Sequence, residues 1–355
     1  MIKLLNLNIF FRLVKHIFIV NLLRRPDPYK LDLILTYNCN SFCKTCRIWK
    51  KKSRFREIGL GDYEKLFREL GKKIVWLSLD GGQPTLKGGF LKIVDLAIKT
   101  LPNLSIINIS SNGLTPKQEF KLVNKLLNKT KGIKIYYALS LDGFEKEHNI
   151  VRGRRDAYRC VMEAFSLLSS LKNHKNLILG FQTTINKYNL NCIPDILRLS
   201  KNADFHTFNL AHYNRTYFLN RPDMDVTNYK EETKKVLISL LKRYKVRNLF
   251  DFVSKICTSL SYKYLDKPQK RKVSCSAGIS TLTIDPYGNI KRCAFDDRNL
   301  SNIKSGSINL KRDDIFNVHC KKCWMDCEAT PSMILHPILT LRDYFRINLN
   351  IAKNI

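Results

Sequence analysis

Leu31-Asp32-Leu33-Ile34-Leu35-Thr36-Tyr37-Asn38-Cys39-Asn40-Ser41-Phe42-Cys43-Lys44-Thr45-Cys46 joins a short apolar run to three closely spaced cysteines. The run reads as a strand, and the cysteines fall on the loop that leaves its carboxyl end. Downstream, further runs rich in aliphatic or aromatic residues occur at Ile74–Leu79, Ser105–Ser110, Ile135–Leu141, Leu177–Thr184 and Phe205–Leu210. Amphipathic stretches separate them: Asp62–Leu70, Gly89–Lys99, Pro116–Asn128, Ala157–Leu171 and Asn191–Ser200. Such alternation is the mark of parallel βα units. The expected fold is α/β, a partial (β/α)6 TIM-like barrel open on one side, with a doubly wound sheet as the alternative. In either architecture, ligands gather at the carboxyl ends of the strands.

The 355 residues suffice for a barrel and a smaller appended unit. Eleven cysteines are present, and most fall in two groups, Cys39/Cys43/Cys46 and Cys275/Cys293/Cys320/Cys323/Cys327. Cys160, Cys192 and Cys257 stand alone in apolar helical contexts, where an inert buried thiol is the default. Close clustering favours metal ligation over a disulfide framework, which belongs to small secreted domains. In the first group, C-x3-C-x2-C, three thiolates can hold three corners of a four-iron cluster and leave the fourth iron open, as catalysis requires. A zinc ion would want a fourth ligand, and neither His nor Cys stands within several residues of this loop.

The loop, with Phe42 beside the second cysteine, resembles the signature of the radical S-adenosylmethionine (SAM) superfamily. Gly81-Gly82-Gln83-Pro84, after the second strand, is similar to that family's glycine-glycine-glutamate-proline motif, with Gln83 in place of glutamate. The resemblance implies backbone carbonyls that receive the methionyl ammonium of S-adenosyl-L-methionine, with glycine allowing close approach. Ser111-Asn112-Gly113 resembles the family's threonine-asparagine-glycine element, and Ser140, Asp142 and Gly143 its serine-x-aspartate-glycine element near the cofactor ribose. His148, Arg152 and Gly153 continue the pattern, with Arg152 a partner for the cofactor carboxylate or, on the bland reading, part of a surface ion pair. The resemblance implies a 4Fe-4S cluster on Cys39, Cys43 and Cys46, but the sequence assigns no residue to hydrogen abstraction.

The second cysteine group resembles the auxiliary-cluster domains of the superfamily, called twitch and SPASM. Cys275 and Cys293 flank a hairpin, Ile279–Ile284 and Ile290–Cys293, whose turn is Asp285-Pro286-Tyr287-Gly288-Asn289. A short helix is expected near Lys311–Val318, after Gly306-Ser307-Ile308. Five cysteines suit one auxiliary cluster rather than two. Cys275, Cys293, Cys320 and Cys323 are the first-choice ligands; Cys327 can replace one of the last pair, and a four-cysteine zinc ribbon is the alternative.

The implied organisation is a basic amphipathic segment (1–30), the barrel (31–250), the cluster domain (251–332) and an apolar, basic segment (333–355). Val226–Leu249 reads as one helix closing the barrel region. The net charge of +32 is scattered rather than gathered in a stripe. It suits an acidic flavodoxin or ferredoxin donor, while no specific nucleic-acid partner is expected. No apolar run reaches membrane-span length and no signal-peptide cleavage site follows the first apolar stretch, so a cytoplasmic location is expected, peripheral on the inner face of the membrane if the basic ends bind anionic lipid. The main functional expectation is reductive cleavage of S-adenosylmethionine and hydrogen abstraction from an unidentified substrate, with a membrane-associated one favoured by the termini. A peptide maturase is the alternative within the class; a zinc-stabilised nucleic-acid binder and an inactive scaffold are the alternatives outside it.

Overall fold

The computed structural model describes residues 7–23, 25–51, 56–268, 271, 273–305 and 323–353. Helix α1 (Leu7–Leu23) precedes six parallel strands: β1 (Lys30–Thr36), β2 (Trp76–Gly81), β3 (Ile106–Ser111), β4 (Lys134–Ser140), β5 (Leu177–Ile185) and β6 (Phe205–Leu210). Between successive strands the chain forms α2 (Leu60–Leu70), α3 (Phe90–Thr100), α4 (Pro116–Lys129), α5 (Glu145–Arg152) and α6 (Ala157–Ser169), and the single turn α7 (Ile193–Ile196). The strands alternate by side chain, as period-two geometry requires. Leu31, Leu33, Leu77, Leu79, Ile107, Ile109, Ile135 and Tyr137 are buried in the main apolar core. Their neighbours Asp32, Ser78, Asp80, Asn108, Ser110, Ser140, Gln182, Thr184, Thr207 and Asn209 line an interior cavity instead.

Two expected helices are shorter than their apolar patterns. Asn191–Ser200 supplies only α7, because its N–H groups turn to i−3 bonding (Arg198 to Asp195, Leu199 to Ile196), which winds too tightly to propagate. Val226–Leu249 is divided between a 3-10 turn at Val226–Tyr229, helix α8 (Lys230–Arg243) and the start of α9 (Leu249–Asp266). Tyr244, buried with its hydroxyl donating to the His206 carbonyl at 2.6 Å, stops α8. Asn248 caps α9 by accepting the N–H groups of Phe250 and Asp251 at 2.9 and 3.0 Å.

The cysteine-flanked hairpin continues the same sheet. β7 (Thr281–Ile284) runs parallel to β1, with Leu31 opposite Leu282, and β8 (Asn289–Lys291) and β9 (Ser301–Asn302) follow antiparallel. The sheet order is therefore β6-β5-β4-β3-β2-β1-β7-β8-β9, and it does not close on itself. Two helices complete the described chain, α10 (Asp326–Leu335) and α11 (Pro337–Lys353). The expected helix at Lys311–Val318, Gly306-Ser307-Ile308 and Cys320 lie outside the described residues.

Candidate active site

The cavity, about 600 Å³, runs through the interior of the open barrel. At the carboxyl ends of the strands it is lined by Cys39, Cys43 and Cys46, with Gly81, Gly82, Gln83, Ser111, Asn112, Ser140 and Arg152 around them. The cysteine loop is held by backbone bonds to the end of α5: Phe42 N–H donates to the Arg152 carbonyl at 3.1 Å and Lys44 N–H to that of Val151 at 2.8 Å. Gly153 ends α5 at φ +66, and a side chain there would meet the Phe42 carbonyl oxygen at 2.5 Å. Glycine is needed at this position for conformation and for space. The far end of the loop is fixed by Asn220, whose amide donates to the Thr45 carbonyl at 2.9 Å.

Gly81-Gly82-Gln83 is bound just as closely. Gly82 N–H donates to the Thr36 carbonyl and Gln83 N–H to that of Asn38, each at 2.8 Å. A Cβ on Gly81 or Gly82 would collide with those same two carbonyl oxygens. The Gln83 amide donates to Ser111 Oγ at 2.8 Å and its oxygen accepts the Asn112 N–H at 3.0 Å. Ser111 Oγ in turn donates to the buried Glu119 at 2.8 Å, so a carboxylate stands one hydrogen bond behind Gln83. Asn112 donates to Asn40 Oδ1 at 2.7 Å and points the same amide at Cys39 Sγ, 3.9 Å away.

Electrostatically, the thiols lie in a pocket that offers little positive charge. Burial pushes the Cys46 thiol up to about 12 and raises that of Cys39. Arg152 is the nearby cation, with Nη1 3.7 Å from Cys43 Sγ and Nη2 2.7 Å from Asp142 Oδ2. Asp142 also accepts the Thr184 N–H at 2.8 Å, and His148 Nδ1 accepts the Asp142 N–H at 3.0 Å. Arg152 Nε is buried without a protein acceptor, which leaves a donor for an anionic group. Three thiols with one guanidinium fit a cationic metal core, since coordination removes the thiol protons. Among the described residues, no three His, Cys, Asp or Glu side chains converge tightly enough for a single metal ion.

Of the sequence-derived candidates, Phe42, Pro84 and Asp142 do not line the cavity. Phe42 is half-exposed and packs edge-on against Trp49 at 5.2 Å; Pro84 is buried; Asp142 lies behind Arg152. Cys293, Cys323 and Cys327 line the same cavity, while Cys275 does not. Burial raises the Cys293 thiol, followed by the charges of Glu328, Cys323 and Cys275; Cys327, whose side chain is exposed, is raised by desolvation among the surrounding groups and, further down, by Cys323. The three thiols reach the cavity from segments distant in sequence. Trp324 N–H donates to His212 Nε2 at 3.2 Å, Asp326 N–H to Asn209 Oδ1 at 3.1 Å, and Lys30 Nζ to the Cys327 carbonyl at 2.8 Å. Burial lowers the His212 pKa, which keeps the ring neutral and able to accept. Lys30 is paired with Asp32 at 2.8 Å inside the barrel. Sequence reasoning missed Asn209, His212, Gln182, Thr184 and Tyr217, which also line the cavity. Polar residues at alternate positions of β5 and β6 were the available signal.

Residues 33–200 match the model of the Radical SAM superfamily. Among curated proteins, the chain is similar to the sporulation killing factor maturation protein SkfB of Bacillus subtilis (strain 168), 26% identical over 183 residues, covering 51% of this chain and 42% of that protein. It is also similar to the antilisterial bacteriocin subtilosin biosynthesis protein AlbA of the same organism, 20% identical over 282 residues, 78% of this chain and 57% of that protein. The chain thus spans about half the length of these curated relatives. Among solved structures, native anSMEcpe with bound AdoMet and Cp18Cys peptide shares the fold at a TM-score of 0.59 and 15% identity, covering 90% of this chain and 99% of that one. The matched stretch, residues 33–200, carries the three-cysteine loop at the mouth of the barrel and is a radical SAM domain.

Proposed function

We propose that this protein is a radical SAM enzyme that reductively cleaves S-adenosylmethionine and removes a hydrogen atom from a substrate bound in the barrel. The observation that carries this reading is the convergence of Cys39, Cys43, Cys46, Gly81-Gly82-Gln83, Asn112 and Arg152 on one cavity. Cys39, Cys43 and Cys46 would hold a 4Fe-4S cluster with one iron free of protein. Such a cluster would supply an electron for the reductive cleavage of S-adenosylmethionine. The chain's own residues bind, orient and exclude water. The carbonyls held by Gly82 and Gln83 fix the motif that receives the amino group; Arg152 offers donors to a carboxylate; Ser140 and Asn112 offer polar contacts to a ribose. Cys275, Cys293, Cys323 and Cys327 are the described thiols that would hold an auxiliary cluster, supported by the mutual influence of their charges. A flavodoxin- or ferredoxin-type donor and a reducing, cytoplasmic setting belong to the same reading.

A peptide substrate is the second reading. The maturation and biosynthesis roles in the names of SkfB and AlbA, and the peptide bound to anSMEcpe, favour it. The decisive experiment is anaerobic reconstitution, analysis for iron, sulfide and zinc, then dithionite with S-adenosylmethionine. Release of 5′-deoxyadenosine from the iron-loaded protein, abolished by Cys43→Ala, is the expected result. Stoichiometric zinc at the first loop, or release undiminished in the variant, overturns the assignment.

A further inference from the structure

The first and last described helices differ from the other described helices in what they leave in water. On α1, Phe10, Phe11, Val14, Phe18, Leu22 and Leu23 are exposed, Phe18 by 56%. The opposite face is already satisfied. His16 is fully buried between the Asp27 carbonyl at 2.8 Å and Ser280 Oγ at 2.9 Å, Val20 is buried, and Arg12 pairs with Asp27 at 2.5 Å. On α11, Ile338, Leu341, Phe345 and Leu349 form a second exposed stripe at helical spacing, Ile338 by 84%. Thr340, Asp343 and Ile347 are buried on its other side. Elsewhere, large exposed apolar residues stand singly, as Leu60 on α2 or Ile150 on α5.

The charge on the two helices has one sign. α1 carries no acidic residue, and the one acid of α11, Asp343, is buried. Lys15, Arg342 and Arg346 are exposed beside the stripes. An amphipathic helix with aromatic and aliphatic residues on one face and cations at its edge is suited to lie in the headgroup region of an anionic bilayer. No described helix is long and apolar enough to cross a membrane, so the contact is peripheral. Both helices pack against α10, and the cavity reaches this part of the molecule through Leu13 of α1 and Ile334 of α10. We infer that α1 and α11 form a docking face for an anionic membrane surface, independent of the chemistry at the thiols.

The test is flotation of the full, anaerobically reconstituted protein with phosphatidylcholine vesicles, with and without phosphatidylglycerol, at low and high salt. Binding is expected only to the anionic vesicles and to weaken with salt. Phe18→Glu with Phe345→Glu should lower partitioning at least about tenfold, and Arg342→Gln with Arg346→Gln roughly thirtyfold. Release of 5′-deoxyadenosine in vesicle-free buffer should be unchanged in both variants, which shows that they fold and separates this inference from the enzymatic one. Wild-type protein that ignores anionic vesicles overturns the inference, as does binding that survives both pairs of substitutions. So does a dimer that the glutamate pair dissociates while vesicle binding persists, which would assign the face to a second copy of the chain.

Discussion

Thiols of both cysteine groups line one cavity, but the groups are built in opposite ways. Cys39, Cys43 and Cys46 sit on eight consecutive residues, clamped by the last carbonyls of α5 and by Asn220. The second group draws Cys275 and Cys293 from either side of a hairpin, and Cys323 and Cys327 from the entry to α10. It is held by side chains far away in sequence: Lys30, Asn209 and His212. A loop motif carries its geometry in its spacing. A dispersed site exists only when the sheet that joins its parts has formed, so its stability is coupled to the whole fold.

The largest expected effect comes from breaking the clamp of the first group. Asp142→Asn leaves Arg152, whose side chain is only 12% exposed, without its counter-ion, which should cost about 3–5 kcal/mol in denaturant unfolding and suppress 5′-deoxyadenosine release. A loss below about 1 kcal/mol would mean that the pair is not built into the site. Next, Cys327→Ser should remove about half of the bound iron and sulfide, four irons of eight, while Cys320→Ser retains them. The reverse result moves the fourth ligand to Cys320. A smaller change is expected for Gln83→Glu, which loses the amide donor to Ser111 and sets a second carboxylate near Glu119. About 1–3 kcal/mol of destabilisation follows, without loss of iron from the second group.

The last test should strike both groups alike. His206 lies in the barrel core with its pKa lowered to about 3 by burial, then by Arg247. The unfolded chain therefore binds more protons between about pH 6.5 and 3, and stability falls as pH is lowered through that window. The slope contributed by this one ring approaches 1.4 kcal/mol per pH unit, and His206→Gln should remove that share in unfolding curves measured across it.

Local pattern made much of this legible. The apolar runs marked all six parallel strands because each strand must bury one face against helices, and the three-cysteine spacing marked the first site because that site is contiguous. Gly81, Gly82, Ser111, Asn112 and Ser140 were legible because they stand where strands end, and Arg152 because it closes the helix that follows β4. Asn209 and His212 were not, since their role is to hold Trp324 and Asp326, more than a hundred residues away. The helix expected over Val226–Leu249 divides because Tyr244 is drawn into the core, a tertiary demand that helical periodicity does not encode.

What the sequence determined alone is the parallel alternation and the loop of three thiols, both set by contacts between near neighbours. What tertiary structure decided is that the hairpin joins the barrel sheet at β1, that Phe42 and Pro84 lie outside the cavity, and that two helices keep apolar faces in water. Those outcomes depend on which surfaces meet across the fold, and a surface left without a partner becomes visible only when every other one has found its own.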